Sequence, residues 1–161
     1  MYDSMQDTLK HISNIQTIFS AVIIPEIEKR SENHDLSKLR SPEKETLDKY
    51  IPLLREVKYG TDEYKTLKKS MYEEGLSSHF KNNRHHPEHF ENGVNDMNLI
   101  DLLEMVCDWF AASLRSDTSF SEGLEGNFKE YKIDPQLAGI IKNTYEEYFA
   151  PIEGKLKSTQ N

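Results

Sequence analysis

The chain has 161 residues, a length that suits one domain and allows about two thirds of the unfolded surface to be buried on folding. Hydrophobic residues make up 36% and charged residues 30%, and 28 acids against 20 bases give a formal charge of -8. That balance repels a phosphate backbone, so duplex nucleic acid is not an expected partner, and an acidic protein that handles phosphate needs a cation of its own. The single cysteine, Cys107, excludes an intramolecular disulfide.

The opening MYDSMQDTLK lacks the basic-then-apolar order of a signal peptide, and no apolar run approaches the roughly 18 residues that cross a bilayer. A soluble, cytoplasmic protein without membrane contact is expected, with a homodimer as the default assembly. Leu9, Ile12, Ile15, Ile18, Phe19, Val22 and Ile23 recur at helical spacing, which predicts a first helix from about Ser4 to Lys29 with a kink at Pro25. A polar turn follows and leads to His34-Asp35. Ser41-Pro42-Glu43 combines a capping residue, a proline at the first helical position and an acid in the first turn, and so starts a helix through Leu47, Tyr50, Ile51 and Leu54.

Gly60-Thr61-Asp62 breaks and restarts the chain. The next helix carries Tyr64, Leu67, Met71 and Tyr72 and reaches His79 and Phe80 after Gly75. Residues 81–95, KNNRHHPEHFENGVN, hold too many Asn, His and charged residues for a plain helix and predict a structured loop of the kind that carries function. Asn95 or Asp96 is expected to cap the most apolar helix, MNLIDLLEMVCDWFAASLR, and Ser121 a short one. Asp134-Pro135 opens the last, with Leu137, Ile140, Ile141, Tyr145, Tyr148 and Phe149. The expectation is one all-α domain of six or seven helices over 1–154, with 155–161 as a flexible tail.

Chemistry-bearing residues are concentrated among six histidines and a few acids. His11 falls on the apolar face of the first helix, where a lone histidine is either a satisfied core residue or a ligand. Asp101 and Asp108 are two turns apart in an apolar helix, and a buried carboxylate needs a partner: a metal, an imidazolium, or a base such as Arg84 or Arg115. Neutral imidazoles with carboxylates suit Mn, Fe, Co, Zn or Ni, with Mg as a further candidate. Two histidines and two aspartates leave coordination positions for water and substrate, as in a catalytic site. An Asp beside a ligating His, such as Asp35, can hold the metal and also orient the attacking water.

The order His11 … His34-Asp35 … Asp108 resembles the HD-domain metal-dependent phosphohydrolase superfamily, an all-helical fold whose metal is held by an H…HD…D set. HDLSK resembles the HDxxK form of that motif. Together with NRHHPEHF and the LIDLLEMVCDW helix it is also similar to a small uncharacterised HD-like family of phage and bacterial genomes, over roughly residues 5–116. The resemblance implies His11, His34, Asp35 and Asp108 as metal ligands, with Asp108 preferred to Asp101. Asp101 and Glu104 are then groups behind the ligands or substrate contacts.

The same resemblance implies Lys38 as the residue that meets the phosphate or assists the leaving group. It implies His79, His85 and His86 either as ligands of a second ion or as acids and phosphate contacts. It also implies hydrolysis of a nucleotide or similar small phosphate ester by a metal-activated water, with one or two ions bound. The Gly-Tyr-Pro signature of the cyclic-dinucleotide branch is absent, so that substrate is not implied. Arg84, just before the histidine pair, is either a phosphate grip or a solvated loop residue, and Phe90, Trp109 and Phe110 are either base-stacking or core residues. Two further readings are a di-iron HD-type oxygenase built on the same ligands, and a non-catalytic HD-like module that binds a nucleotide or a protein. Cys107 reads as a buried, inert thiol.

Overall fold

The structure is a computed structural model, and it describes residues 3–58, 60–115 and 119–159. Among the described residues the regular elements are helical and no strand occurs. Counting α segments joined through π turns as continuous gives six helices: α1 over 5–33, α2 Glu43–Glu56, α3 over 62–82, α4 Leu99–Ser113, α5 Phe120–Glu130 and α6 over 135–158. The expected all-α class and helix number hold. None of these helices is long and apolar enough to cross a membrane. Contacts divide the chain into two compact units, Met1–Leu36 and Ser37–Asn161.

The first unit is α1 and the residues just after it. Pro25 does not break α1. It has no N–H to give and its ring crowds the carbonyl four residues back. The helix widens into a π turn, Phe19–Ile23, in which Ile24 donates to the Phe19 carbonyl five residues back, and Ile24–Asn33 then continues as α-helix. Pro151 in α6 is handled the same way, with the π turn Tyr145–Phe149 directly before it. α1 ends where His34 turns out of helical geometry (ψ 125) and Asp35 takes a left-handed conformation (φ 58).

That continuity corrects one sequence expectation. His11 sits in the second turn of α1 and His34 follows its last residue. The 23 residue steps between them rise about 34 Å along the axis at helical pitch. His11 therefore cannot share an ion with His34 and Asp35 of the same chain.

The second unit has two apolar clusters. Tyr50, Met71 and Leu76 join α2 to α3, flanked by Leu47, Leu54, Leu67 and Phe80. Met105, Val106, Phe110, Phe120, Leu124, Phe128 and Ile141 form the larger core of α4, α5 and α6. α2 and α3 approach closely at Gly75, in the π turn Tyr72–Leu76: a Cβ there would overlap Thr46 Oγ1 and come within 2.9 Å of Thr46 Cβ. This contact sets the start of α2 beside the end of α3.

The helix starts shift from those expected. Asn98, not Asn95 or Asp96, caps α4, in a reciprocal box with Asp101. Ser119, not Ser121, caps α5, paired with Glu122. Asp134 caps α6 as read. Residues 155–158 are not a tail: they continue α6, Leu156 packs on the larger core and Lys157 meets Glu153 at 3.1 Å. Residues 160–161 lie outside the described residues.

Candidate metal centre

Within the second unit, α2, the end of α3, the following loop and α4 deliver polar side chains to one place. His79 comes from the last turns of α3 and is 1% exposed. Its Nδ1 lies 2.9 Å from Glu43 Oε2. Glu43 is the first residue of α2, and it is buried rather than turned to solvent as first-turn acids usually are. Its carboxylate also accepts the hydroxyls of Ser37 at 2.7 Å and Ser78 at 3.3 Å. The Asn83 amide donates to the His79 carbonyl at 2.8 Å and lies 3.3 Å from the Ser37 hydroxyl. The expected cap at Ser41 does not form; Pro42 precedes α2 without a side-chain hydrogen bond.

His85 and His86 lie in the loop after α3. His85 is 2% exposed, with Nδ1 3.2 Å from Glu104 Oε1 of α4. His86 Nε2 lies 2.9 Å from His79 Nε2. The ring centres are 4.1 Å apart for His85 and His86, 4.8 Å for His79 and His86, and 5.9 Å for His79 and His85. One nitrogen of each ring lies within 4.8 Å of the other two. Burial lowers the pKa of His86 to about 3, with His85, His79 and Lys38 adding to the effect and Asp108 opposing it. His86 is therefore neutral near pH 7, the form in which imidazole binds a metal.

The donor set fits a divalent transition metal. Three imidazoles converge, and two of them have their other nitrogen on a carboxylate, the outer arrangement common to metal-bound histidines. Borderline ions such as Zn, Fe, Co and Ni take such nitrogen ligands in preference to Mg, which demands oxygen. Three protein ligands leave a position for water or substrate.

The remaining residues from the sequence reading fall as follows. Lys38 and Asp108 lie near enough to His86 to act on its charge. Arg84 is committed to Asp101 through a two-pronged pair at 3.0 and 2.8 Å and stacks over Phe90 at 4.9 Å. This answers the burial problem of Asp101, which is fully buried and also accepts from the Asn98 backbone. In the first unit, His34 Nε2 and Asp35 Oδ2 are 3.7 Å apart.

Trp109 stacks on Tyr131 at 5.4 Å, and Phe110 belongs to the larger core. Cys107 is exposed, contrary to expectation. Partial desolvation, and then Glu104 and Asp108, raise its pKa, so the thiolate is still disfavoured.

Sequence reasoning missed Glu43, whose position after Ser-Pro is that of any first-turn acid. Glu104 entered the sequence reading only through the HD resemblance, as a group behind the ligands or a substrate contact.

Comparison with curated proteins and with solved structures finds no match. A family model described as "Family of unknown function (DUF5662)" matches residues 1–147, most of the chain, and the chain belongs to that family.

Proposed function

We propose that this protein is a metal-dependent phosphohydrolase acting on a nucleotide or a similar small phosphate ester. The observation that supports the reading is the convergence of His79, His85 and His86, with ring nitrogens within 4.8 Å of one another and two rings backed by buried or half-buried glutamates. These three residues hold the ion. When bound, such an ion lowers the pKa of a coordinated water and draws charge from a phosphoryl oxygen. Asp108, near enough to His86 to act on its charge, would accept a proton from the attacking water, and Lys38, which also acts on that charge, would meet the phosphate. Arg84 acts through Asp101, tying the histidine loop to α4, rather than gripping phosphate.

The test is metal analysis of the purified protein, followed by turnover of a nucleotide panel with Mn, Co, Zn and Mg. His79→Ala and His86→Ala should lose both bound metal and hydrolysis. Retention of full metal content and full phosphatase activity in both variants would exclude this centre. His34→Ala and Asp35→Ala, assayed alongside, measure the contribution that the HD resemblance assigns to that pair.

A further inference from the structure

The three rings of the centre are not held alike. His79 and His85 each direct Nδ1 at a glutamate, Glu43 at 2.9 Å and Glu104 at 3.2 Å. A carboxylate offers only lone pairs, so the hydrogen in each contact is assigned to Nδ1; at His79 the Glu43 oxygen is nearer than the Ser37 hydroxyl and the Asn83 amide nitrogen, both 3.0 Å from the same Nδ1, and Nε2 then serves as the nitrogen for a ligand. The two glutamates come from different helices, α2 and α4, and so fix the two rings independently.

The Glu43 side is the more elaborate. Oε2 accepts from Ser37 as well as His79, and Oε1 from Ser78, so the carboxylate cannot turn without breaking several bonds. Glu43 is 4% exposed and Thr46, one turn on, is 2% exposed, so the carboxylate sits in a rigid wall.

His86 is held differently: its Nε2 faces the Nε2 of His79 at 2.9 Å. A lone pair and an N–H fit that spacing, whereas two nitrogens on one tetrahedral zinc stand about 3.3 Å apart. With Nε2 of His79 fixed as the lone pair, His86 supplies the N–H. An ion arriving between them needs that nitrogen too, so the hydrogen of His86 must move from Nε2 to Nδ1 through solvent, with no net change in charge on the ring.

We infer that Glu43 and Glu104 are positioning residues that hold His79 and His85 as Nδ1–H tautomers for a borderline transition metal, and that His86 exchanges its Nε2–H for Nδ1–H when the ion enters. The inference rests on the proposed metal centre, though not on the reaction carried out there.

The experiment is a long-range proton–nitrogen correlation spectrum of the histidine rings of the full chain, recorded after chelator dialysis and again with zinc sulfate. Cobalt(II) affinity is followed in parallel by visible absorption. Wild-type protein should show His79 and His85 as Nδ1–H forms in both states and His86 switching between them. Glu43→Gln should disturb the His79 tautomer alone and Glu104→Gln that of His85, each weakening cobalt binding about ten- to a hundred-fold with helix content retained. Glu43→Asp should recover part of the loss. Should Glu43→Gln fail to fold, the wild-type spectrum and Glu104→Gln carry the same decision.

The inference is overturned if the His79 and His85 rings of the wild-type protein are Nε2–H before loading, if His86 keeps one tautomer in both states, or if both glutamine variants bind cobalt as wild type does. Tight, glutamate-dependent cobalt binding without turnover of any phosphate ester would support the inference and overturn the hydrolase reading instead. Absence of zinc and cobalt binding by wild type overturns both.

Discussion

The sharpest structural prediction concerns Gly75. In open helix, replacing it with alanine would stabilise the chain by about 0.5–1 kcal/mol through backbone entropy and propensity. Here the added Cβ overlaps Thr46 Oγ1, comes within 2.9 Å of Thr46 Cβ and lies 3.2 Å from the Pro42 carbonyl. Rotating Thr46 removes the first clash only. It also breaks the Thr46 Oγ1 bond to the Pro42 carbonyl at 2.9 Å, in a residue 2% exposed, at a loss of about 0.5–1.5 kcal/mol. The Cβ–Cβ clash then requires α2 and α3 to part by about half an ångström, an overpacking penalty of about 1–3 kcal/mol.

Set against the propensity gain, the net effect is a destabilisation of about 0.5–4 kcal/mol, or a fall in Tm of roughly 1–16 °C for a chain of this size. Thermal unfolding followed by circular dichroism measures it. Thr46→Ala in the Gly75→Ala background should be less harmful than the sum of the two single changes, because they share one clash. Because Glu43 is three residues before Thr46, zinc affinity should fall with the Tm. A Gly75→Ala protein as stable as wild type, or more so, would show that the helices do not meet at this point.

Zinc should raise the Tm of wild-type protein, by the equivalent of about 2.7 kcal/mol at a hundred times the dissociation constant; differential scanning fluorimetry should find this shift absent in His79→Ala and His86→Ala. Arg84→Ala should destabilise by about 2–3 kcal/mol in urea unfolding, since it leaves the buried Asp101 carboxylate without its pair, while the half-exposed position of Arg84 limits the loss. Glu153 should give the chain a measurable acid sensitivity. Burial pushes its pKa up, but the Tyr145 hydroxyl at 2.7 Å and Lys157 at 3.1 Å outweigh that and leave it below its ordinary 4.5. A lowered carboxyl stabilises fully above the unfolded pKa and loses its contribution as pH falls through the folded one, so stability should decline below about pH 4.5 and Glu153→Gln should flatten that decline.

The parts of the fold that periodicity controls were legible. Apolar residues at three and four spacing mark α1, α3, α4 and α6, and Asp134-Pro135 marks a start because both its cap and its proline act locally. Pro25 and Pro151 were harder, since a proline read alone predicts a kink, whereas widening the preceding turn by one residue absorbs it without ending the helix. The long first helix also separated His11 from the His34-Asp35 pair. The resemblance counted the residues in order and had no means of measuring the rise between them. In the site, His79, His85 and His86 were visible as residue types, and Arg84 with Asp101 as one open pairing. Glu43 was not, because its inward turn is decided by the crossing of α2 and α3 at Gly75, a contact between residues 29 apart that no local pattern encodes.

A buried His–Glu pair alone is weak support for function, because such pairs also occur as satisfied core networks. The loop that carries His85 and His86 weighs the argument the other way. It has few apolar residues with which to hold itself in place, yet it is tied at successive points on both sides of the pair. Arg84 grips Asp101 of α4 just before it, His89 Nδ1 donates to the Lys81 carbonyl at 2.6 Å just after it, and the Asn92 amide groups close on Asp96 further on. A loop needed only as a connection between α3 and α4 has no use for so many polar restraints, each of which orders side chains against their entropy. Restraint of this kind is what ligand geometry requires, because a nitrogen displaced by half an ångström no longer binds well. The tethers, more than the histidine count, favour a loop built to hold two imidazoles still against a third.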